Sequence, residues 1–144
     1  MSNLLLSYMS HKIIEITSQQ TLPIRHQVMW PNKPLDFVKL INDDNGLHYG
    51  LVLNNEIISV ISLFIDDGEI QFRKFATLTN HQGKGYGSLL LNEIIQVAIK
   101  KSASKIWCNA RVSKLKYYQK FQMMPTDHTF VTGEIDYVIM ERLF

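Results

Sequence analysis

Hydrophobic positions in the middle of the chain predict three consecutive β-strands. Apolar residues dominate two runs, Leu47 to Leu53 and Ile57 to Ile65, and the polar residues 54–56 between them have the spacing of a hairpin. A turn at residues 66–68 leads into a third run, Glu69 to Thr77. Ile, Val, Leu and Phe are so dense in these runs that we expect the sheet to be covered on both faces.

The N-terminal part of the chain predicts one strand followed by one helix. From His11 to Thr17 the pattern alternates, which places Ile14 and Ile16 on the face expected to pack in the core. Residues 18–20 can then cap a helix that runs through Met29. The following Trp-Pro step ends this helix, because a residue before proline disfavours the α conformation.

The C-terminal half alternates helices and short strands. Apolar residues recur at helical spacing from Ser88 to Ser102, and a second helix is predicted from Ser113 to Phe121. Short strands are predicted at Lys105 to Ala110 and at Val138 to Met140. An order of strands first, then strand–helix–strand–helix–strand, predicts an α/β fold built on a mixed sheet.

Length and composition favour a single domain over residues 1–144, with residues 1–10 as an N-terminal arm. The chain has 144 residues, of which 46% are hydrophobic and 19% charged, enough for one core and too few for two ordinary domains. One cysteine excludes an internal disulfide, and the sequence shows neither a leader pattern nor an apolar run of about 20 residues that could cross a bilayer. We therefore expect a cytoplasmic protein.

Basic residues are concentrated in the middle of the chain. The segment from Arg73 to Lys120 contains ten Lys or Arg and one acid, Glu93, whereas the remainder contains five basic residues and twelve acids. A basic segment suits a ligand with several phosphates. Nucleic acid is a weaker alternative, because the lysines are not interleaved with aromatic residues in a recognisable binding motif.

The stretch Gln82-Gly83-Lys84-Gly85-Tyr86-Gly87 has the properties of an anion-binding loop. Three glycines in five residues allow backbone N–H groups to approach an anion, and the helix that follows adds the positive end of its dipole. On glycine count alone, a plain strand-to-helix turn explains the stretch equally well. Two nucleotide motifs fail on spacing: Leu78 and Gly85 do not fit a Walker loop, and Ser88 replaces the third glycine of the dinucleotide fingerprint.

The spacing of Gln82, Gly85 and Gly87 instead fits Gln/Arg-x-x-Gly-x-Gly/Ala, and in this the chain resembles the GNAT superfamily of acyl-CoA-dependent N-acyltransferases. A second stretch, Asn109 to Arg111 followed by Tyr117 to Phe121, is similar to the end of that family's fifth strand and its Phe-Tyr-Glu-Lys-Leu-Gly-Phe helix. Gln and Met replace the usual Gly-Phe at the end of this phrase.

The order of predicted elements also matches the family, so the resemblance extends from about His11 to Leu143. It implies a GNAT-like single domain, α/β, with a mixed, mostly antiparallel sheet whose splayed central strands are flanked by helices. The implied function is transfer of an acetyl group from acetyl-CoA to a small-molecule or peptide amine by direct attack on the thioester. An acyl-CoA-binding module of the same fold without turnover is the alternative. The resemblance requires no metal, membrane or nucleic acid, and it allows a homodimer.

The resemblance also implies which residues bind acetyl-CoA. The glycine loop would bind the pyrophosphate, the backbone N–H groups on the preceding strand would hold the thioester carbonyl and the pantetheine arm, and an amide at the end of the next strand would contact the pantetheine. The residues at these positions are Phe75, Ala76, Thr77, Gln82, Gly83, Lys84, Gly85, Tyr86, Gly87, Ser88 and Asn109.

Two residues are candidates for acid–base catalysis. Tyr118 matches the family's general acid, which protonates the departing thiolate of coenzyme A; outside the motif, a packed aromatic explains it as well. Some relatives use a glutamate as the base at the position of Gln71, which cannot accept a proton usefully. Glu69, two residues earlier on the same face of the strand, is the substitute candidate and would act through a water molecule; a base elsewhere in the chain is the alternative. The five histidines have no ligand spacing, and Cys108 is interpreted as a small core residue.

Overall fold

The computed structural model describes residues 10–144, so the predicted N-terminal arm lies outside the described residues apart from Ser10. Within that range the chain forms seven strands and three α-helices, with short 3₁₀ turns between some of them. In chain order the elements are β1 (His11–Ile16), α1 (Ser18–Met29), β2 (Leu47–Leu53), β3 (Glu56–Asp66), β4 (Glu69–Thr77), α2 (Tyr86–Lys100), β5 (Lys105–Arg111), α3 (Leu115–Gln119), β6 (Met124–Thr132) and β7 (Ile135–Leu143).

The strands form a sheet in the order β1-β2-β3-β4-β5-β7-β6. β4 and β5 pair in parallel, with Glu69 opposite Lys105 and Gln71 opposite Trp107. β1 with β2, β2 with β3, β5 with β7 and β6 with β7 pair antiparallel. The predicted α/β fold with a mixed, mostly antiparallel sheet is therefore confirmed, while the splay of the central strands stays a prediction.

Backbone contacts divide the chain into two compact units. Among the described residues, the N-terminal unit comprises 10–63 and 74–93, and the C-terminal unit comprises 64–73 and 94–144. β3, β4 and α2 each contribute residues to both units. In β4 the boundary falls at Lys74, whose φ of +55° lies in the left-handed region that residues other than glycine seldom adopt.

The N-terminal unit is built on the antiparallel strands β1, β2 and β3. Asn54 and Asn55 connect β2 to β3 with φ values of 51° and 64°, as a type I′ hairpin turn requires. This confirms the predicted hairpin. An apolar core joins these strands to the end of β4 and the start of α2, and its buried members are Ile16, Ile24, Leu51, Leu53, Ile58, Val60, Ala76, Leu78 and Tyr86.

The prediction that Ile14 packs in the core is wrong. Ile14 is 38% exposed, whereas Ile16 is buried and Ile13 is partly buried against the core. Among residues 10–144, β1 is an edge strand of the sheet and pairs with β2 alone. An edge strand has a neighbour on one side only, so a correctly alternating residue can still lie beyond the reach of the core.

α1 begins with a capping box one residue earlier than the predicted cap. The N–H of Gln20 donates to Thr17 Oγ1 at 3.2 Å, and the N–H of Thr17 donates to Gln20 Oε1 at 2.8 Å. Each side chain therefore satisfies a backbone donor of the other residue at the helix start. The helix ends at Met29, as the Trp-Pro step predicted.

A buried ion pair joins α1 to the turns that follow it. Arg25 is completely buried and donates from Nη1 to Asp43 Oδ2 at 2.8 Å and from Nη2 to Asp43 Oδ1 at 2.9 Å. Nη1 and Nη2 also donate to the Val38 carbonyl at 3.1 Å and to Ser62 Oγ at 2.8 Å. His48 completes the network, because its Nε2 donates to the Asp43 carbonyl at 2.8 Å and its Nδ1 lies 2.7 Å from Ser62 Oγ. No sequence motif predicted this network.

The C-terminal unit contains a strand that the sequence did not predict. β6 pairs with β7 at the outer edge of the sheet, and Gly133, with a φ of +63°, lies in the turn between them. Every residue of β6 except Thr126 is exposed, so the strand has no buried face to produce an alternating pattern. Pro125 and a register shift between Pro125 and Thr129 weaken the pattern further.

The two C-terminal helices are shifted from their predicted bounds. α2 begins two residues earlier than predicted, at Tyr86, and α3 is shorter because a 3₁₀ turn occupies Val112–Lys114. Just after α3, Gln122 has a φ of +63°, so it adopts the left-handed conformation at the position where the resembling motif has glycine. Over residues 10–144 we find no helix with the length and apolar character needed to cross a bilayer.

We predict that Asp43→Asn lowers the free energy of unfolding by about 3–5 kcal/mol, because it leaves the buried guanidinium of Arg25 without a countercharge. Urea denaturation at pH 7 measures the loss. The matched control is Asp44→Asn, since Asp44 is the exposed neighbour in the same turn and should change stability by less than about 0.5 kcal/mol.

The same ion pair predicts how stability depends on pH. Burial alone would raise the pKa of Asp43, but hydrogen bonds from Arg25 and the Leu40 N–H, with the charge of Arg25, lower it below the ordinary value of 3.8. The carboxylate therefore stabilises the fold above pH 3.8, and this contribution is lost as the pH falls through the lower, folded-state pKa. An Asp43→Asn variant with the same acid-induced loss as the parent would contradict this assignment.

Candidate active site

Two glycines of the loop between β4 and α2 are required by backbone conformation. Gly83 and Gly85 have φ values of +75° and +88°, in the region that side chains disfavour. No heavy atom lies within 4 Å of a Cβ built on Gly83, so conformation and not space explains glycine there. Gln82, Gly83, Lys84 and Gly85 are all exposed, so the loop is accessible to a ligand.

Gly87 is favoured by close packing instead. A Cβ at this position would lie 3.2 Å from Thr77 Oγ1 and 3.3 Å from Phe75 Cζ, which is tighter than ordinary van der Waals contact. Glycine therefore lets the first turn of α2 lie directly against the end of β4. The three glycines thus serve two purposes, a left-handed backbone at positions 83 and 85 and close packing at position 87.

The loop is attached to β4 and α2 at its two ends. Gln82 Nε2 donates to the Thr77 carbonyl at 2.8 Å. Tyr86 is buried, with its ring centroid 6.1 Å from that of His81 in an edge-to-face arrangement. The N–H of Leu89 donates to the Gly85 carbonyl at 3.1 Å and begins the helical ladder. The positive end of the α2 dipole is therefore directed at the exposed glycines. Ser88 lies in the first turn of this helix.

The end of β4 directs alternate backbone groups to opposite edges. The N–H of Leu78 donates to the Ile58 carbonyl at 2.9 Å, and Ser59 Oγ donates to the Ala76 carbonyl at 3.2 Å, so Ala76 and Leu78 face β3. Strand alternation then directs the N–H groups of Phe75 and Thr77 to the other edge of β4. These are the two donors that the resemblance implies for the thioester and the pantetheine.

Tyr118 lies in the C-terminal unit beside two other aromatic rings. Its ring centroid is 5.9 Å from that of Phe72 and 5.3 Å from that of Tyr117. Burial, and to a lesser degree the proximity of Cys108 and Tyr117, raises the pKa of the Tyr118 phenol far above its ordinary value of 10. The phenol is therefore protonated at neutral pH, which is the form that a general acid needs.

Glu69 and Asn109 occupy different environments in the C-terminal unit. Glu69 Oε1 lies 3.2 Å from Lys105 Nζ, and Lys105 Nζ also donates to Glu141 Oε2 at 3.1 Å. Hydrogen bonds to Glu141 and then Glu69 raise the pKa of Lys105. Asn109 has an exposed side chain and pairs through its backbone register with Ile139 of β7. The Lys105 contacts depend on pairing of distant strands and had no signal in the sequence.

The chain matches the model of the acetyltransferase (GNAT) family over residues 11–123. This chain belongs to the GNAT family. Membership confirms the predicted activity class, an acetyl-CoA-dependent N-acyltransferase, and the fold that the motifs implied. The match ends with Met123, so β6 and β7 lie outside it.

Individual GNAT proteins show the same likeness over nearly the whole chain. The N-acetyltransferase YitI of Bacillus subtilis, itself uncharacterized, is 24% identical over 137 residues, which cover 88% of this chain and 92% of YitI. A crystal structure assigned as an N-acetyltransferase from Lactobacillus plantarum is 19% identical with a TM-score of 0.83, covering 93% of this chain and 98% of that one. A GNAT acetyltransferase from Elizabethkingia anophelis with acetyl-CoA bound is 21% identical with a TM-score of 0.73, covering 94% and 99%.

Cys108 behaves as the predicted core residue of this GNAT fold. It is 3% exposed, and burial raises the pKa of its thiol to about 12. Among residues 10–144, no group of three His, Cys, Asp or Glu side chains is arranged to hold a metal ion.

We predict that Cys108 of the folded protein does not react with the thiol reagent DTNB at pH 8, because its thiolate forms only near pH 12 and the sulfur is buried. In guanidinium chloride, one thiol per chain should react within seconds to minutes. Free coenzyme A under native conditions is the positive control. Labelling of the native chain faster than its global unfolding would show that the β5 region opens locally.

Proposed function

We propose that residues 1–144 act as one domain that binds acetyl-CoA through the Gln82–Gly87 loop and transfers the acetyl group to a primary amine. The observation that carries this proposal is the pair of exposed glycines with positive φ, Gly83 and Gly85, at the N-terminus of α2. Such a loop offers backbone donors and a positive dipole end to a pyrophosphate. Lys84, exposed within the loop, adds a cationic side chain.

The chemistry follows from the directions of the β4 donors. A neutral amine attacks the thioester carbon, and the carbonyl oxygen gains a negative charge that the N–H groups of Phe75 and Thr77 stabilise. Ala76 between them faces β3, and Asn109 contacts the pantetheine. Collapse of the tetrahedral intermediate forms the amide and breaks the carbon–sulfur bond. Tyr118 donates its proton to the departing sulfur, which leaves as the thiol of coenzyme A.

Glu69 remains the proposed base for the amine proton. Lys105 contacts one carboxylate oxygen, Oε1, and the side chain is 42% exposed. A carboxylate has a second oxygen, and a water molecule on it can relay the proton from the attacking ammonium. Gln71 supplies no basic group at the position that some relatives use.

The proposed setting is the cytoplasm, and the proposed acceptor is a small-molecule or peptide amine. The free thiol of Cys108 is compatible with a reducing compartment. A homodimer stays a prediction of the family resemblance alone.

A thermal shift experiment tests the donor. Acetyl-CoA and coenzyme A should each raise the melting temperature, while ATP at equal concentration should have a much smaller effect, because a ligand that binds the folded state stabilises it. An amine screen with DTNB then detects released coenzyme A without background from Cys108. Binding of acetyl-CoA with no thiol release for any amine would favour the module without turnover, and the absence of any shift would contradict the proposed loop function.

We predict that Gly85→Val abolishes binding of coenzyme A, because a β-branched residue cannot keep a φ of +88° and the loop must change shape. The matched control is Gly133→Val, which forces the same conflict at a φ of +63° in the β6–β7 turn. Both variants should lose some stability, and only the loop variant should lose the thermal shift with coenzyme A. Retained affinity in the loop variant would contradict the assignment.

We predict that Tyr118→Phe lowers kcat by about 10²-fold or more with little change in the KM for acetyl-CoA, because the phenol acts only on the leaving sulfur. Tyr117→Phe is the matched control, since it removes a hydroxyl from the adjacent ring of the same helix and should leave kcat within about twofold. Equal kcat values for the parent and Tyr118→Phe would show that water protonates the thiolate.

A further inference from the structure

A buried pair of hydroxyl groups joins β3 to the end of β4 within the N-terminal unit. Ser59 of β3 is completely buried, and its Oγ lies 2.8 Å from Thr77 Oγ1. The same Ser59 Oγ donates to the Ala76 carbonyl at 3.2 Å. A serine hydroxyl carries a single proton, so the proton between the two hydroxyls belongs to Thr77, which donates to Ser59. Ser59 therefore fixes the orientation of the Thr77 side chain as well as that of the Ala76 carbonyl.

An irregularity in β3 lies next to Ser59. The register of β3 against β2 shifts between residues 57 and 59, so Ile58 is an extra residue in β3. Its carbonyl accepts the Leu78 N–H at 2.9 Å, and the next residue, Ser59, bonds β4 through its side chain. Bulges of this kind turn side chains out of the regular pleat and are frequent beside active sites. The bulge thus shapes β3 at the point where it meets the end of β4.

Three contacts restrain Thr77. Its hydroxyl bonds Ser59, and its carbonyl accepts from Gln82 Nε2 at 2.8 Å. Its Oγ1 also lies close to α2, at 3.2 Å from a Cβ built on Gly87. Threonine is branched at Cβ, so a rotation about χ1 would move the oxygen away and change both side-chain contacts. The N–H of Thr77 is the group that strand alternation directs to the other edge of β4, where the proposed function needs a donor.

Stability alone gives little reason for two hydroxyls at this buried contact. A buried hydroxyl loses its hydrogen bonds to water, and a bond inside the protein offsets this loss with only a small net gain. Two apolar side chains of the same shape would fill the same space at nearly the same stability. Hydrogen bonds differ from apolar contacts in having a preferred direction. The pair of Ser59 and Thr77 is therefore suited to set geometry.

We infer that Ser59 is a positioning residue for acetyl transfer: through the Thr77 hydroxyl and the Ala76 carbonyl, it holds the Thr77 N–H in the direction that stabilises negative charge on the thioester oxygen. The inference rests on the proposed function and deepens it by adding a residue of β3 that lies outside both sequence motifs. Ser59 acts through Thr77 and need not touch the substrate. A small rotation of the donor is enough to weaken the hydrogen bond, because such bonds depend steeply on angle.

Ser59→Ala in the full chain tests the inference, with Ser62→Ala as the matched control. Ser62 is on the same strand, is also completely buried and accepts a hydrogen bond from Arg25. Both variants should lower the melting temperature, because each leaves buried groups without a hydrogen bond. Only Ser59→Ala should lower kcat, by about tenfold, which is part of the roughly 10²- to 10³-fold that complete removal of an oxyanion donor costs.

Thiol release from acetyl-CoA, measured well below the melting temperatures of the variants, gives kcat. The thermal shift with free coenzyme A should be the same in Ser59→Ala as in the parent, because free coenzyme A has no thioester carbonyl. A residue with a merely structural role would lower the melting temperature and leave kcat unchanged.

A double-mutant cycle shows whether Ser59 acts through the Thr77 hydroxyl. Thr77→Val removes that hydroxyl, keeps the branched shape and retains the backbone N–H. The double variant should have a kcat within about twofold of that of Ser59→Ala, whereas two independent effects would multiply and contradict the inference. Thr77→Val should itself lower kcat, and it tests the inference even where Ser59→Ala fails to fold.

The outcomes separate this inference from the proposed function. Equal kcat values in the parent, Ser59→Ala and Thr77→Val would retain the transferase and overturn the positioning role. An equal loss of kcat in Ser59→Ala and Ser62→Ala would also overturn it, because the loss would then reflect a general weakening of β3. Absence of thiol release from the parent with every amine would instead overturn the proposed function, and this inference with it.

Discussion

Backbone hydrogen bonding of β4 is the constraint on which the candidate site depends. Its end is paired to β3 through Leu78 and Ala76, and that pairing directs the groups of Phe75 and Thr77 to the opposite edge. The Thr77 carbonyl accepts a hydrogen bond from Gln82, and a Cβ at position 87 would crowd Thr77 Oγ1 and Phe75 Cζ. The direction of the proposed donors and the position of the loop are thus both set by one strand.

The left-handed backbone at Lys74 adds to this constraint. A residue with positive φ inside a strand interrupts the regular pleat locally, although even-numbered positions stay buried on both sides of Lys74, Phe72 before it and Ala76 after it. Lysine has no intrinsic preference for that conformation, and the surrounding structure must therefore impose it. Such an outlier beside proposed oxyanion donors is consistent with a backbone shaped for binding and not for strand stability alone.

The success of sequence-based prediction differs between local and long-range features. The tight loop around Gly83 and Gly85 could be predicted, because the need for positive φ is local and restricts the residue type directly. Strand β6 could not be predicted, because an exposed edge strand has no buried face and so leaves no alternation of apolar and polar residues. The ion pairs of Lys105 depend on a register that brings it opposite Glu69 and within reach of Glu141, 36 residues along the chain from each. Arg25 was predicted as a helix residue, but its partners come from turns and from β3, which no local pattern indicates.

Burial of Tyr118 has two opposing consequences for its proposed role. It keeps the phenol protonated at neutral pH, so the acid is always in the required form. It also raises a phenol pKa that is already higher, at about 10, than the value of about 8.5 for a typical thiol, so transfer to a fully formed and solvated thiolate would be unfavourable. The sulfur must therefore accept the proton in the desolvated site, where its own negative charge is poorly stabilised and its proton affinity is raised by the same burial. The proposed transfer therefore requires that Tyr118 and the departing sulfur share one water-excluded environment. On the side of Tyr118, the ring of Phe72 contributes to excluding water.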